Sequence, residues 1–167
     1  PLSTPKINFI CGKLIFHNKK KKFKRTTSKL FETAPFNEFS NRFNIWLVEA
    51  PSVDSGTDIP GKDIWKNTIL NTSFYTFDSE RYLMTHDIWS VRDAAGRVPY
   101  DQIVILVNTA KYGGGGVYNY YNTFSSDNEK SPGLLVHEFG HGLVGLADEY
   151  YSSSTAYLEY YNLKVEP

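Results

Sequence analysis

His137-Glu138-Phe139-Gly140-His141, followed by Gly142-Leu143-Val144 and Gly145-Leu146-Ala147-Asp148-Glu149-Tyr150, is the stretch on which the reading of this chain turns. On a helix, positions i and i+4 leave the same face one turn apart, so the imidazoles of His137 and His141 can reach one cation. Glu138 is offset from that line, yet close enough to hold a water at the same ion. Two histidines with a neighbouring glutamate base are the working parts of a zinc hydrolase motif. The surroundings are those of a helix over about 132–144. Ser131 predicts its N-cap, Pro132 sits in its first turn, and Gly145 predicts its stop. Leu134, Leu135, Val136, Phe139, Leu143 and Val144 supply the apolar surface to anchor it. Five matching residues also arise by chance on ordinary amphipathic helices. The caps, the packing surface and the carboxylates that follow favour the metal.

A catalytic zinc takes three protein ligands and keeps a fourth position for water. The other histidines, His17 and His86, both lie upstream. Downstream, a turn at Gly145 would swing Asp148 or Glu149 back toward the ion. Asp148 is the first choice and Glu149 the second, since catalytic sites accept a carboxylate ligand. The plainer reading of either is a surface carboxylate or a partner that orients a ligand histidine. Tyr150 or Tyr151 is a candidate donor to a developing oxyanion, with ordinary packing as an equal alternative.

Upstream, Gln102-Ile103-Val104-Ile105-Leu106-Val107 is a continuous apolar run and predicts a strand inside a sheet. Gly113 to Gly116 follow, then Val117-Tyr118-Asn119-Tyr120-Tyr121, expected as an exposed strand leading to a polar loop. The glycine run is not a phosphate loop, because no Gly-Lys-Ser/Thr follows it. It reads either as a mobile hairpin turn or as a lip where Gly115, Gly116 and Tyr118 pair with an extended substrate. Earlier in the chain, helices are expected at about 26–31 and 35–43, and a buried strand at 45–48. Residues 51–61 read as a surface loop, 74–77 as a short strand, and 79–84 and 87–95 as helical, the last with Asp87 as N-cap and Gly96 as stop. The fold class is α/β (α+β), with a mixed sheet and a long helix carrying the site.

A chain of 167 residues suits one domain with a real core. Hydrophobic residues at 41% and charged residues at 22% exclude a disordered chain, and no run approaches the ~20 apolar residues of a membrane span. Lys plus Arg equal Asp plus Glu at 18 each, so net charge makes no case for nucleic acid. The basic residues crowd the start: nine fall within 1–30, before Glu32, the first carboxylate. The run Lys19-Lys20-Lys21-Lys22-Phe23-Lys24-Arg25 reads as a solvated face or tail rather than a polyanion site. Residues 1–25 are expected as a poorly ordered basic segment. With Cys11 as the single cysteine, no intrachain disulfide is possible.

The string H-E-F-G-H-G-L-V-G-L-A-D-E-Y at 137–150 resembles the bacterial IgA-peptidase family of zinc metallopeptidases. F-N-I-W-L-V-E at 43–49, S-G-T-D at 55–58, R-Y-L at 81–83, Y-D-Q-I-V-I-L-V-N at 100–108 and K-Y-G-G-G-G at 111–116 are similar to it as well. The resemblance covers about residues 30–151. It implies a zincin fold with a mostly parallel twisted sheet and an antiparallel edge strand. It implies peptide-bond hydrolysis with Zn2+ on His137, His141 and Asp148, and Glu138 as general base. Gly115, Gly116, Tyr118 and Tyr150 are the substrate-binding candidates. A protein or peptide substrate is expected, immunoglobulin A among the candidates, and a secreted, periplasmic or cell-surface place in bacteria. Family members continue past the metal motif, so a single catalytic domain cut short at its C-terminus is expected. The layout is akin to the metzincin pattern, but the spacing from His141 to the third ligand is one residue longer. Met84, the single methionine of these 167 residues, lies upstream of the helix, so no Met-turn of the metzincin kind is expected within them. The rival reading is a module of the same fold that holds zinc without activity and serves adhesion or recognition.

Overall fold

A strand that is apolar at consecutive positions needs cover on both faces, and the order of elements supplies it. The structure, a computed structural model, describes residues 6–11 and 16–148. Its elements are strand β1 (Lys6–Cys11), helix α1 (Phe16–Glu32), strands β2 (Asn44–Glu49), β3 (Thr72–Ser73) and β4 (Met84–Thr85), helix α2 (Ile88–Ala95), strands β5 (Gln102–Val107), β6 (Gly114–Gly116) and β7 (Tyr121–Ser125), and helix α3 (Ser131–Val144). Five strands form one sheet in the order β2-β1-β5-β7-β6. β1 runs parallel to β2 and β5, β5 runs parallel to β7, and β6 closes the edge antiparallel to β7. The class is α+β, with the expected mixed, mostly parallel sheet and its antiparallel edge. β3 and β4 make a small separate antiparallel pair.

Every residue of β5 is buried. Val104 and Leu106 meet Leu30 of α1 and Leu134, Leu135 and Phe139 of α3 on one face. Ile103, Ile105 and Val107 meet Val91, Ala94 and Ala95 of α2 with Phe74 and Leu83 on the other. Alternation on a strand thus splits one apolar run between two cores. Phe139 is fully buried, with the Phe36 ring edge-on at 5.4 Å. Burying a side chain of that size contributes about 1.5–3 kcal/mol, so the apolar side of α3 is held firmly and its histidine side is left at the surface.

Asp87 caps α2 as its position predicts. Its carboxylate accepts the Ser90 N–H at 3.0 Å, the Ser90 hydroxyl at 2.7 Å and the Asn71 side-chain amide at 2.7 Å. These bonds, the backbone one first, hold its carboxyl below the ordinary value of 3.8. Asp87→Ala is expected to cost about 1 kcal/mol, which lowers Tm by roughly 2–4 °C in a chain of this size. A depressed carboxyl contributes above its unfolded pKa and loses that contribution as acid protonates the folded state. The gap in Tm between wild type and Asp87→Ala should therefore narrow as melts are taken from neutral pH into acid. A gap that is absent at neutral pH would refute the cap.

Several expected elements differ. Residues 6–11 and 16–25, read as a poorly ordered segment, hold β1 and the first part of α1, so α1 starts well before the expected 26–31. Positions 35–43 form turns with a short 3-10 segment at Ser40–Arg42 in place of a helix. Phe36 and Phe43 still pack, ring on ring, at 6.5 Å. Among the described residues β2 pairs with β1 alone, and it is half exposed rather than buried, with Trp46 at 44% exposure. The short strand expected at 74–77 falls at Thr72–Ser73, and 79–84 is not helical. The strand near the glycines is the glycine run itself. Val117 to Tyr120 make a turn, with the Tyr120 N–H donating to the Val117 carbonyl at 3.1 Å, and the expected polar loop begins as buried strand β7. Ser131 opens α3 but its hydroxyl bonds the Ser125 and Asn128 carbonyls, and the N-cap position belongs to Lys130.

Candidate metal centre

α3 ends where Gly145 takes the left-handed conformation, φ 69°, which costs glycine little and other residues more. The Gly145 and Leu146 N–H groups turn back onto the His141 and Gly140 carbonyls at 3.0 and 3.2 Å. The Gly142 carbonyl, orphaned by that stop, accepts the Asn119 N–H at 2.8 Å and the buried Gln102 side-chain amide at 3.1 Å. These bonds fix the helix end and send the next residues back across its exposed face.

Three donor atoms converge there. His137 Nε2 and His141 Nε2 stand 3.1 Å apart, and Asp148 Oδ1 lies 3.2 Å from the first and 3.3 Å from the second. Ligands at 2.0–2.1 Å in tetrahedral array sit about 3.3 Å from one another, so the triangle has the edge length a zinc site requires. Among the described residues this is the one such group of metal-competent side chains. His141 Nδ1 lies 2.5 Å from the Leu146 carbonyl. Placing the proton on Nδ1 satisfies that acceptor and leaves the Nε2 lone pair for a metal. Burial, then the charge of His141, holds His137 below the ordinary histidine range, with Asp148 opposing. An unprotonated imidazole is the form that binds metal. The residues present therefore fit a divalent ion.

Glu138 lies beside the triangle but outside it, and only 7% exposed. Burial first, then the negative charge of Asp148, pushes its carboxyl up to about 8, while Arg81 pulls the other way. A bound cation would also pull it down. Its carboxylate rests on β6. A Cβ at Gly114 would fall 2.7 Å from Glu138 Oε1, and one at Gly116 would fall 2.8 Å from the Glu138 carbonyl oxygen and 3.0 Å from His141 Cβ. On the opposite face, a Cβ at Gly115 would meet Met84 Cγ at 2.7 Å. The glycines form a bare strand clasped between α3 and the segment around 74–84, which rules out a loose hairpin turn there.

Gly115, Gly116 and Tyr118 line the same cleft as the three donors. The outer edge of β6 is already taken at Gly114, whose N–H donates to the Arg81 carbonyl at 3.2 Å and whose carbonyl accepts the Leu83 N–H at 3.0 Å. Glu149, Tyr150 and Tyr151 lie outside the described residues. Arg81, Tyr82, Phe77 and Lys130 also line the cleft and were not singled out from sequence. Only Arg-Tyr-Leu at 81–83 left a trace, as a segment of the resemblance without a role.

Gly142 tests the close packing behind the site. A Cβ there would run into the side-chain amide of Asn122, itself fully buried, whereas one at Gly133 meets nothing within 4 Å. Overpacking of this kind costs about 1–3 kcal/mol, so Gly142→Ala should lower Tm and weaken zinc binding while Gly133→Ala does neither. Equal melts for the two variants would refute the packing argument.

The sequence model of the IgA peptidase M64 family matches residues 13–167, a wider span than the resemblance over 30–151 and one that takes in α1. Among curated proteins, none matches the chain.

Proposed function

This chain belongs to the IgA peptidase M64 family, and from that membership we propose that it is a zinc-dependent peptidase with the ion on His137, His141 and Asp148. The observation that carries the reading is the convergence of those three donor atoms, all within 4.8 Å of one another, beside a buried glutamate that is not among them.

Zinc held there would supply acidification of a water, from ~15.7 to about 7, and polarisation of the scissile carbonyl. The remaining work falls to the chain. Glu138 takes a proton from the attacking water and returns it to the departing amide nitrogen. Its buried place under β6 keeps it in one position and lowers the dielectric around it. The Leu146 carbonyl holds the His141 ring in the ligating tautomer. The ladder bonds from the Ser125 N–H to Gly113 and from the Val117 N–H to Tyr121 imply that the Gly116 N–H and carbonyl face away from β7. An extended substrate would pair there, beyond the stretch that residues 81–83 occupy, with Tyr118 as a further contact. Tyr150 belongs to the same proposal.

The substrate is a protein or peptide, with immunoglobulin A as the first to try, and the place of action is secreted, periplasmic or at the bacterial cell surface. Among the described residues no helix is long and apolar enough to cross a membrane. The test is metal analysis of the purified chain by mass spectrometry, with cleavage of casein, immunoglobulin A and a peptide library. About one zinc per chain and hydrolysis that a chelator stops and zinc restores are expected. A chain that binds no metal, or cleavage indifferent to chelator, would sink the reading.

A further inference from the structure

The cleft carries a charge pattern that metal binding and proton transfer do not use. Among the described residues its acidic side chains are Asp148 and Glu138, both committed to the proposed reaction, and its other charged side chains, Arg81 and Lys130, are cations. Among those described groups, a bound divalent ion would leave positive charge in excess, and a cleft with one sign of charge concentrates ligands of the other.

Arg81 is the better placed of the two. Its carbonyl accepts the Gly114 N–H at 3.2 Å, which ties its backbone to the strand on which Glu138 rests. Its guanidinium carbon stands 5.7 Å from the centroid of the Tyr82 ring, and Tyr82 is in turn braced edge-on by Phe77 at 6.2 Å. Arg81 lines the same cleft as His137, Glu138 and His141. A guanidinium held over an aromatic ring in a cation–π contact is partly ordered before any ligand arrives. It carries five N–H donors in a planar fork, more than one carboxylate takes up. Lys130 precedes His137 by seven residues, about 10 Å along a helix, and offers only a point charge.

We propose that Arg81 is a specificity-determining residue that binds a carboxylate of the substrate close to the scissile bond. This rests on the peptidase reading for its biological meaning. The carboxylate belongs either to an Asp or Glu side chain of the peptide or to its C-terminus, and the two sources are separable by experiment.

The test uses the zinc-loaded chain and two readouts, equilibrium binding by fluorescence anisotropy and cleavage. Labelled peptides carry Glu or Gln at each position in turn, with free or amidated C-termini. Wild type should favour one Glu peptide over its Gln twin, or the free over the amidated terminus, by about tenfold. That ratio should fall to within about twofold in Arg81→Ala, survive in part in Arg81→Lys, and persist in Lys130→Ala. Zinc content should not change in any of them. A preference seen in binding without any cleavage would support the Arg81 site and refute the peptidase reading. Cleavage with no carboxylate preference, or with one that Arg81→Ala leaves intact, would overturn the Arg81 site and leave the peptidase standing. Loss of the preference in Lys130→Ala alone would overturn it too. So would an Arg81→Ala variant that is slowed equally on neutral and acidic peptides.

Discussion

Glu138→Ala is expected to keep its zinc and to lose hydrolysis by about 10²–10⁴-fold, the usual contribution of a positioned general base. The two halves of that expectation come from separate observations. Retention of metal follows from the donor triangle, which is complete without Glu138: the nitrogens of His137 and His141 and one oxygen of Asp148 lie 3.1 to 3.3 Å from one another. Loss of rate follows from the place of Glu138, one residue along the helix from His137 and buried against the glycine strand. Glu138→Gln keeps the shape and removes the proton acceptor, so it should fail to the same extent while melting like wild type. Both variants are read by metal analysis and by kcat/KM on one peptide. Unchanged turnover in either would remove Glu138 from the mechanism. Loss of zinc from both would instead make it a ligand.

Asp148→Ala should release the metal, and Glu149→Ala should hold it. Removing even a partner that orients a zinc ligand costs about 10–100-fold in affinity, and a direct ligand should cost more. In this site the carboxylate also brings the one negative charge among the three donors. The consequence extends to stability, since a ligand that binds only the folded state adds about 2.7 kcal/mol at 100 times its Kd. Zinc should therefore raise the Tm of wild type and of Glu149→Ala, and leave that of Asp148→Ala nearly unmoved. Titrations followed by calorimetry and by melting give the answer directly. If Glu149→Ala were the variant that let zinc go, the third ligand would be reassigned.

Local rules carried a large part of the reading. β5, α2 with its Asp87 cap and Gly96 stop, and the span of α3 with its left-handed Gly145 were all legible, because each depends on neighbours within one or two turns. The pairing of His137 with His141 was legible for the same reason, since i and i+4 on a helix must share a face. The third ligand could be narrowed to two carboxylates, Asp148 ahead of Glu149, because the reach of either depends on how the chain leaves Gly145. That exit is set by the Gly142 carbonyl bonding to Asn119 and Gln102 from other elements.

What the tertiary structure alone decided lies where contacts run far along the chain. β1 was missed, although its place between β2 and β5 puts it inside the sheet; six residues with a lysine and an asparagine among them show no period of their own. β7 was taken for loop because Asn122, Thr123 and Ser125 are polar, yet all three are buried, Asn122 against Gly142 of α3 and Thr123 with its hydroxyl on the Leu83 carbonyl. For the glycine run a mobile turn and a substrate lip were equally open, and it is a strand, bare so that two layers can close on it. Arg81 stood in the sequence only as part of a segment without a role, and its place at the cleft follows from the pairing of Tyr82 alongside Gly114. Sequence by itself determined which side chains could do the chemistry, since residue type and helical spacing are local properties. Which groups surround that chemistry was decided by strand pairing and close approach between distant segments, and no short window of residues encodes those.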